Sequence, residues 1–319
     1  MIKTERRQLG ATSIMIPPLG VGVWSWGDKR FWGYGADYTR EDIAQAYKAC
    51  LDAGLNFFDT AEIYGEGESE RILGECIRND GRPVVIASKF APLPGRFSAR
   101  ALTEALDASL KRLGVATIDL YQIHWPYTLI GMDALMDALA QAVHAEKVRA
   151  VGVSNYSATQ MRRAHARLAR HDIPLASNQV HYSLLYRKPE QNGVLDTCRE
   201  LNVSLIAYSP LEQGLLTGKY RGLGQTQQPA LTGPRRFMPA FRATRRRKLE
   251  PLFQVMEAIA QVHQKTLGQV ALNWLITQDP CIIPIPGAKN LRQAQENAGA
   301  IGWQMSAEEH KRIDEAACF

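Results

Sequence analysis

Cysteine is scarce in this 319-residue chain, and its few cysteines form no recognisable pattern. Cys50, Cys76, Cys198, Cys281 and Cys318 are scattered, and none belongs to a Cys-x-x-Cys pair. An odd, scattered set argues against a disulfide framework and against a cysteine-bound zinc site. We therefore expect free thiols in a reducing compartment and no bound metal.

Long apolar runs are also lacking. No stretch of the sequence is long enough to cross a bilayer as a helix. The first residues, MIKTER, lack the charged-then-apolar pattern of a secretory signal. We therefore expect a cytoplasmic protein with no membrane partner.

Acidic residues are fewer than basic ones, 32 against 38, which gives a net charge of +6. A basic balance can indicate an anionic partner. No nucleic-acid motif accompanies it, so we expect no nucleic-acid partner. Part of the excess lies in one basic cluster, which comprises Arg235, Arg236, Arg242, Arg245, Arg246, Arg247 and Lys248. This cluster is either a solvated loop and helix start or a patch that attracts a phosphate-rich cofactor.

The dinucleotide fingerprint G-x-G-x-x-G does not follow the first predicted strand, which argues against an open doubly wound sheet. Short apolar runs instead alternate with helical stretches. The predicted strands are Leu19–Val23, Asn56–Asp59, Val84–Lys89, Asp119–His124, Ala150–Ser154, Ala176–Gln179, Ser204–Tyr208 and Cys281–Pro284. Because a helical stretch follows each strand, the pattern predicts parallel strands that close into an α/β fold, the (β/α)8 TIM barrel.

Helices and a hairpin complete this prediction. Residues 6–9 and 14–16, joined by GATS, predict an N-terminal β-hairpin before the barrel. Helices are predicted at Glu41–Ala53, Ser69–Ile77, Ala99–Leu113, Met132–His144, Ala158–His171, Val194–Leu201 and Leu291–Ala298, and within Leu249–Gln278. The helices predicted within 249–278 and at 291–298 are the C-terminal helices of this fold. No linker divides the chain, so residues 1–319 are expected to form a single domain.

Polar side chains stand where the predicted strands end. Asp59, Lys89 and His124 end the second, third and fourth strands, and Tyr64 follows Asp59 closely. Each has a purely structural alternative, since Asp59 could cap a turn, Lys89 could be solvated and His124 could be a core imidazole. Active sites of this barrel lie at the carboxyl ends of its strands, so their recurrence there favours a functional site.

The blocks around these residues resemble the aldo-keto reductase family. Residues 54–65, GLNFFDTAEIYG, closely resemble the family signature around its catalytic Asp and Tyr. Similar blocks follow in family order through nearly the whole chain: ASK at 87–89, YQIHWP at 121–126, GVSNY at 152–156, NQV at 178–180, YSPL at 208–211 and IPGAK at 285–289. GVWSWG at 22–27 and GAIGW at 299–303 are similar to a plastid and cyanobacterial branch of uncharacterised aldo-keto oxidoreductases.

The resemblance implies an enzyme that reduces aldehydes or ketones to alcohols with a tetrad of Asp59, Tyr64, Lys89 and His124. Tyr64 would donate the proton, since a nearby Lys89 ammonium favours its ionised form. Asp59 would hold Lys89 charged and in place, and His124 would orient the carbonyl oxygen. The cofactor, NADPH, would supply the hydride, and no metal would be required.

The resemblance also implies how NADPH or NADP+ would bind. Ser154, Asn155 and Gln179 would hold the nicotinamide carboxamide, and Tyr208 would stack on its ring. Ser209, Leu211 and Gly214 would border the pyrophosphate. The remaining expected cofactor contacts are Gly22, Trp24, Asp59, Pro210, Leu215, Gly287, Ala288, Lys289, Gln293, Glu296 and Asn297, with residues 287–297 at the adenosine end.

One position departs from the family pattern. Gln293 stands where several branches have a basic residue, so a contact with the 2′-phosphate would come from Lys289 or Arg292. A helix is predicted to begin at Leu291 with Asn290 as its N-cap, and its first turn would favour an anion. The alternative is that Arg292 is simply solvated.

Aromatic residues in the loops after strands one and four are candidates for the substrate site: Trp24, Trp26, Phe31, Trp32, Tyr34 and Trp125. They either form an apolar mouth for an aromatic or long-chain aldehyde or pack the loops together. Trp24, Trp32 and Trp125, with Tyr64 and His124, are the expected contacts of a small carbonyl substrate. We expect a monomer.

Two other function classes compete with this interpretation. The resemblance also allows an NADPH-binding regulator, because potassium-channel β-subunits share the fold, but the complete tetrad favours an enzyme. A lyase or isomerase could use Lys89 as a Schiff-base amine. Its partners Asp59, Tyr64 and His124 are better suited to proton donation.

Overall fold

The computed structural model describes residues 5–221 and 238–317. Within these ranges, no helix is both long and apolar enough to cross a membrane. Cys50, Cys76 and Cys198 are free and buried, and Cys281 is free and half-buried, as expected of thiols without a disulfide framework. Cys318, Arg235 and Arg236 lie outside the described residues.

A short hairpin precedes the barrel, as predicted. It pairs β1 (Arg7–Gln8) with β2 (Met15–Ile16) in antiparallel register. Gly10 turns the chain with a φ of 54°. A Cβ at Gly10 would lie 2.4 Å from the carbonyl oxygen of Ala176, so only glycine fits this approach to the barrel.

Among the described residues, eight parallel strands form the barrel in chain order. They are β3 (Val21–Gly22), β4 (Phe57–Asp59), β5 (Val85–Phe90), β6 (Ile118–Ile123), β7 (Val148–Ser154), β8 (Leu175–His181), β9 (Ser204–Tyr208) and β10 (Ile282–Pro284). The ring closes between β3 and β10, because the N–H groups of Gly20 and Gly22 donate to the carbonyl oxygens of Pro284 and Pro286, at 2.9 and 3.1 Å. The predicted (β/α)8 barrel is confirmed, with its strands where the sequence placed them.

The helices surround this barrel. They are α1 (Arg40–Asp52), α2 (Glu68–Asp80), α3 (Arg100–Leu113), α4 (Met132–His144), α5 (Ala158–Ala169), α6 (Lys188–Gln191), α7 (Val194–Leu201), α8 (Ala243–Lys248), α9 (Glu250–His263), α10 (Leu267–Gln278), α11 (Leu291–Ala298) and α12 (Ala307–Ala316). Side chains of Thr39, Ser157, Thr266 and Ser306 cap α1, α5, α10 and α12. The sequence did not delimit α6, α8 and α12; α8 carries part of the basic cluster.

The barrel interior is apolar up to the strand ends. Its buried layer includes Phe57 of β4, Ala87 of β5 and Leu120 of β6, and the hairpin adds Leu9, Ile14 and Ile16. Alternate residues of a strand point to the same side. Asp59, Lys89 and Gln122 each follow one of these strand residues by two positions, so their side chains also point into the barrel, one layer above the apolar layer.

Candidate active site

Three strand ends bring the predicted tetrad together around one ammonium group. The Nζ atom of Lys89 donates to Oδ1 of Asp59 at 2.5 Å and to the carbonyl oxygen of Thr60 at 2.7 Å. It also lies 3.3 Å from the hydroxyl oxygen of Tyr64. The side chain of Lys89 is 0% exposed and that of Asp59 is 2% exposed. A buried ammonium needs such partners, because an unpaired charge in the interior is strongly destabilising.

Two glutamines that face the same interior fix the other oxygen of Asp59. Nε2 of Gln179 donates to Oδ2 at 2.8 Å, and Nε2 of Gln122 lies 3.3 Å from it. Ser177 in turn donates to Oε1 of Gln122 at 3.2 Å. Sequence reasoning missed Gln122, although its position two residues before His124, pointing the same way, was a usable signal.

The pKa of Tyr64 reflects two opposing effects. Burial and, to a smaller extent, the negative charge of Asp59 raise it, while the positive charge and hydrogen bond of Lys89 lower it, and the net direction is upward. The sequence-based expectation considered only Lys89, whose effect has the expected sign but is outweighed by burial. Burial lowers the pKa of Lys89, but the charges of Asp59 and Tyr64 outweigh it and leave that pKa above its ordinary value.

His124 completes the tetrad as a neutral imidazole. It directly follows β6, and its backbone N–H donates to the carbonyl oxygen of Phe90 at 2.9 Å. Burial and the nearby Lys89 charge lower its pKa to about 2. Its ring lies 5.8 Å from that of Tyr64, edge to face, and it stacks on Trp125 at 3.9 Å. A neutral ring beside Tyr64 can direct a hydrogen bond without carrying a charge.

The residues expected at the nicotinamide are joined to one another. Oγ of Ser154 donates to the carbonyl oxygen of Gln179 at 2.8 Å, and Nδ2 of Asn155 donates to the carbonyl oxygen of His124 at 3.1 Å. The hydroxyl of Tyr208 donates to Oδ1 of Asn155 at 3.1 Å. Asn155 takes a left-handed conformation with a φ of 63°. These side chains therefore form one preorganised wall, continuous with the tetrad through Gln179.

A second group lies in the loop after β9, which includes Ser209, Pro210, Leu211, Gly214 and Leu215. Ser209, Glu212 and Gln213 are non-glycine residues with φ of 52°, 47° and 54°, and Gly214 has a φ of 93°. Successive turns can present backbone N–H groups to an anion. Sequence reasoning missed Glu212, whose carboxylate accepts from Ser183 and contacts His181.

The third group, expected at the adenosine end, lies where the barrel closes. Gly22 of β3 bridges to Gly287, and Nδ2 of Asn297 donates to the carbonyl oxygen of Gly287 at 3.1 Å. The Asn290 side chain caps α11 by accepting from the N–H of Gln293 at 3.0 Å, as predicted. Oε1 of Gln293 accepts from the N–H of Lys289 at 3.1 Å.

The two candidate cations of this group have different surroundings. Nζ of Lys289 lies 4.3 Å from the ring centroid of Tyr38. Arg292 is 80% exposed and pairs loosely with Glu296 at 3.8 Å. Lys289 is thus held against the loop that follows β3, whereas Arg292 extends into solvent.

The aromatic residues divide between the two roles foreseen for them. Trp24 stacks on Phe31 at 5.1 Å, meets Trp32 at 5.4 Å and lies 6.2 Å from Tyr64. This group borders the tetrad. Trp26 is instead fully buried and donates to the carbonyl oxygen of Ala288 at 2.8 Å, so it packs the loop and is not part of the mouth. Tyr34 likewise packs on Tyr38.

Comparison with known proteins places this arrangement in a family. Residues 18–317 match the model of the Aldo/keto reductase family. The chain belongs to this family. It is 38% identical over 317 residues to the chloroplastic pyridoxal reductase of Arabidopsis thaliana, covering 95% of this chain and 84% of that protein. It is 39% identical over 303 residues to an uncharacterized oxidoreductase of Mycobacterium tuberculosis, covering 94% and 88%.

Solved aldo-keto reductase structures share the fold of this family member along nearly its whole length. The glycerol dehydrogenase of Gluconobacter oxydans superposes with a TM-score of 0.85 at 27% identity, covering 99% of this chain and 95% of that one. An aldo/keto reductase of Klebsiella pneumoniae, solved in complex with NADP and acetate, has a TM-score of 0.76 at 28% identity and covers 98% and 95%. The family and the barrel expected from the sequence are thus confirmed.

Proposed function

We propose that this aldo-keto reductase reduces aldehydes or ketones to alcohols with NADPH, and that Tyr64 is the proton donor. The observation that carries the proposal is the buried Lys89 ammonium, bonded to Asp59 and 3.3 Å from the hydroxyl of Tyr64. Burying a charge pair is costly, and such groups with perturbed pKa values concentrate at functional sites. The arrangement fits proton transfer at the tyrosine hydroxyl.

The residues around the tetrad fit NADPH by the chemistry of their donors and acceptors. The amides of Asn155 and Gln179 and the hydroxyl of Ser154 suit a carboxamide, and the ring of Tyr208 suits a flat heterocycle. The left-handed loop after β9 suits a pyrophosphate. Oε1 of Gln213 in that loop is buried without a hydrogen-bond partner among the described residues, so it is available to a ribose hydroxyl. The Klebsiella relative, similar along nearly its whole length, was solved with NADP.

Each member of the tetrad has a distinct part in the proposed reaction. Bound NADPH supplies the hydride to the carbonyl carbon. Tyr64 donates its proton to the carbonyl oxygen, and the Lys89 charge stabilises the phenolate that is left. Asp59 holds that ammonium in position. Neutral His124, across from Tyr64, hydrogen-bonds the same oxygen and orients it.

For the substrate we propose an aromatic aldehyde. Trp24 lies 6.2 Å from the ring of Tyr64, Trp32 packs against Trp24, and Trp125 stacks on His124. Aromatic side chains in these positions would favour a flat apolar ligand. The relative that is 38% identical is a pyridoxal reductase, and pyridoxal is an aldehyde on an aromatic ring. Pyridoxal is therefore the first carbonyl compound to test.

The surroundings of Lys89 count against the Schiff-base alternative. Imine formation needs a neutral amine. Burial lowers the pKa of Lys89, but the charges and hydrogen bonds of Asp59 and Tyr64 together raise it above its ordinary value, and the ammonium contacts three oxygen atoms. A nucleophilic lysine would be found in the opposite environment.

Consumption of NADPH with a panel of carbonyl compounds tests the proposal. Pyridoxal and benzaldehyde are compared with glyceraldehyde and dihydroxyacetone, and we expect kcat/KM about tenfold higher for the aromatic pair. Cofactor binding is measured separately by quenching of tryptophan fluorescence. Binding of NADPH without consumption with any compound would favour a regulatory module. Consumption with glyceraldehyde alone would retain the enzyme and refute the aromatic substrate.

A further inference from the structure

His181 stands at the centre of a stack of rings beside the site. It ends β8 and is the register partner of Tyr208 on β9. Its ring is nearly parallel to those of two tyrosines. The interplanar angle with Tyr208 is 10° and the centroids are 5.4 Å apart; with Tyr186 the angle is 12° and the distance is 4.1 Å. Because Gln179 lies two residues earlier on the same strand, the side chain of His181 points toward the same mouth of the barrel.

The same imidazole contacts the loop after β9. Nε2 of His181 lies 2.7 Å from Oε1 of Glu212, and Oγ of Ser183 donates to that oxygen at 2.5 Å. Ser183 is fully buried and also accepts the N–H groups of Leu185 and Tyr186, which fixes the turn that carries Tyr186. The side chain of Glu212 is therefore restrained by residues of β8 and of the turn that follows β8, and these residues lie outside the loop that contains Glu212.

This restraint falls at the most strained part of that loop. Glu212 and Gln213 are consecutive non-glycine residues in the left-handed region. Such conformations persist only where surrounding contacts enforce them. The contacts of Glu212 with His181 and Ser183 supply that enforcement.

We propose that His181 is a positioning residue for the cofactor. It contacts Glu212, in the loop expected to bind the pyrophosphate, and it stacks on Tyr208, whose ring is expected to lie against the nicotinamide. This inference rests on the proposed NADPH site. One side chain then sets two subsites before the cofactor arrives, and preorganisation of this kind raises affinity by reducing the ordering needed on binding. Neither contact involves the 2′-phosphate, so NADPH and NADH depend on His181 equally.

The test compares dissociation constants of NADPH and NADH, from tryptophan fluorescence, with kcat at saturating NADPH. His181→Ala and Glu212→Ala are each expected to weaken binding of both cofactors about tenfold, with kcat changed less than about twofold. Glu212→Gln keeps an oxygen that accepts from His181 and Ser183 and is expected to bind nearly as the wild type does. The double alanine variant should be no weaker than either single variant, because both remove the same link.

His263→Ala is the matched control. Nε2 of His263 lies 2.8 Å from Oε1 of Glu309, and its ring packs on Trp303 at 4.6 Å. The variant therefore removes a similar histidine–glutamate contact away from the strand ends. Its cofactor affinities should match the wild type. Unchanged affinity in His181→Ala, equal losses in His263→Ala, or a Glu212→Gln variant as weak as Glu212→Ala would each overturn the inference. If the wild type itself bound neither cofactor, the proposed function would fail first, and this inference with it.

Discussion

The proposed catalytic tetrad and the segment expected at the adenosine end, residues 287–297 (the adenosine segment), differ in the surroundings of their charged groups. In the tetrad, Lys89 is fully buried and contacts three oxygen atoms. In the adenosine segment, Arg292 is 80% exposed and its glutamate partner lies 3.8 Å away. Buried pairs are little affected by salt, whereas exposed ones are screened. The proposed chemistry would thus take place in a fixed environment, whereas the proposed contact with the 2′-phosphate would be made in a solvent-exposed one.

The largest expected effect comes from removing the buried charge. Lys89→Met keeps much of the side-chain volume but leaves Asp59 without its cation. We expect reduction at neutral pH to fall by about 10³-fold or more, because Tyr64 loses the charge that stabilises its phenolate. Breaking a buried pair also costs about 3–5 kcal/mol of stability.

Circular dichroism and thermal unfolding show whether this variant remains folded. Lys89→Arg is its companion, since it restores the charge with a different shape. A folded Lys89→Met enzyme with ordinary turnover would mean that the buried pair is structural, and the contrast with the adenosine segment would lose its functional meaning.

Tyr64→Phe should have the next largest effect. It removes the proton donor and leaves the Lys89–Asp59 pair in place, so turnover should fall at least about 10²-fold while NADPH affinity barely changes. Tyr47→Phe is the matched control, because the hydroxyl of Tyr47 is buried with no hydrogen-bond partner among the described residues. Near-normal turnover in Tyr64→Phe would assign proton donation to another group.

The residues of the candidate site differ in how far the sequence could predict them. Asp59, Lys89 and His124 could be predicted because each lies at or next to the end of a strand whose apolar pattern is visible locally. The position of Gln122, two residues before His124, was a usable signal, but its contact with Asp59 and the stacking of His181 on Tyr208 depend on the register between strands. Gln122 is the register partner of Lys89, and His181 is that of Tyr208.

Loops were harder still to predict. Trp26 belongs to a run of aromatic residues that the sequence alone cannot divide. The fold buries Trp26 against Ala288 and leaves Trp24 beside Tyr64. That outcome depends on where the loop after β3 meets the closing strand of the barrel, which no local pattern encodes.

A smaller effect is expected at the adenosine segment. Charge-assisted contacts are worth roughly 1.5–3 kcal/mol, or about ten- to a hundredfold in affinity. We expect NADPH to be preferred over NADH. Replacing Lys289 and Arg292 together with Ala should weaken NADPH by about tenfold or more and leave NADH nearly unchanged. Added salt should weaken the preference in the wild type.

The single variants sharpen this prediction. Lys289→Ala should account for most of the loss, because Lys289 is held against Tyr38 while Arg292 extends into solvent. Lys311→Ala, a lysine on α12 that is 67% exposed, serves as the control for a lost surface charge. Equal losses for NADPH and NADH would show that these residues shape the pocket without reading the phosphate.

The smallest expected effect is that of pH on the tetrad. His124 has its pKa lowered to about 2 by burial and by Lys89, so it stays neutral throughout the neutral range. Tyr64 must be protonated to donate, and burial raises its pKa in spite of Lys89, so reduction should decline only at alkaline pH. We therefore expect kcat for reduction to vary less than about twofold between pH 5.5 and 8.5.

The measurement requires saturating NADPH, because phosphate groups of this kind titrate near a pH of about 6 and would affect binding. Deuterated NADPH shows whether hydride transfer limits the measured rate, and His124→Gln should lower kcat without changing the shape of the profile. An inflection near the ordinary histidine pKa of about 6.5 that disappears in His124→Gln would mean that this imidazole becomes charged, and that the tetrad is less sealed from solvent than its geometry indicates.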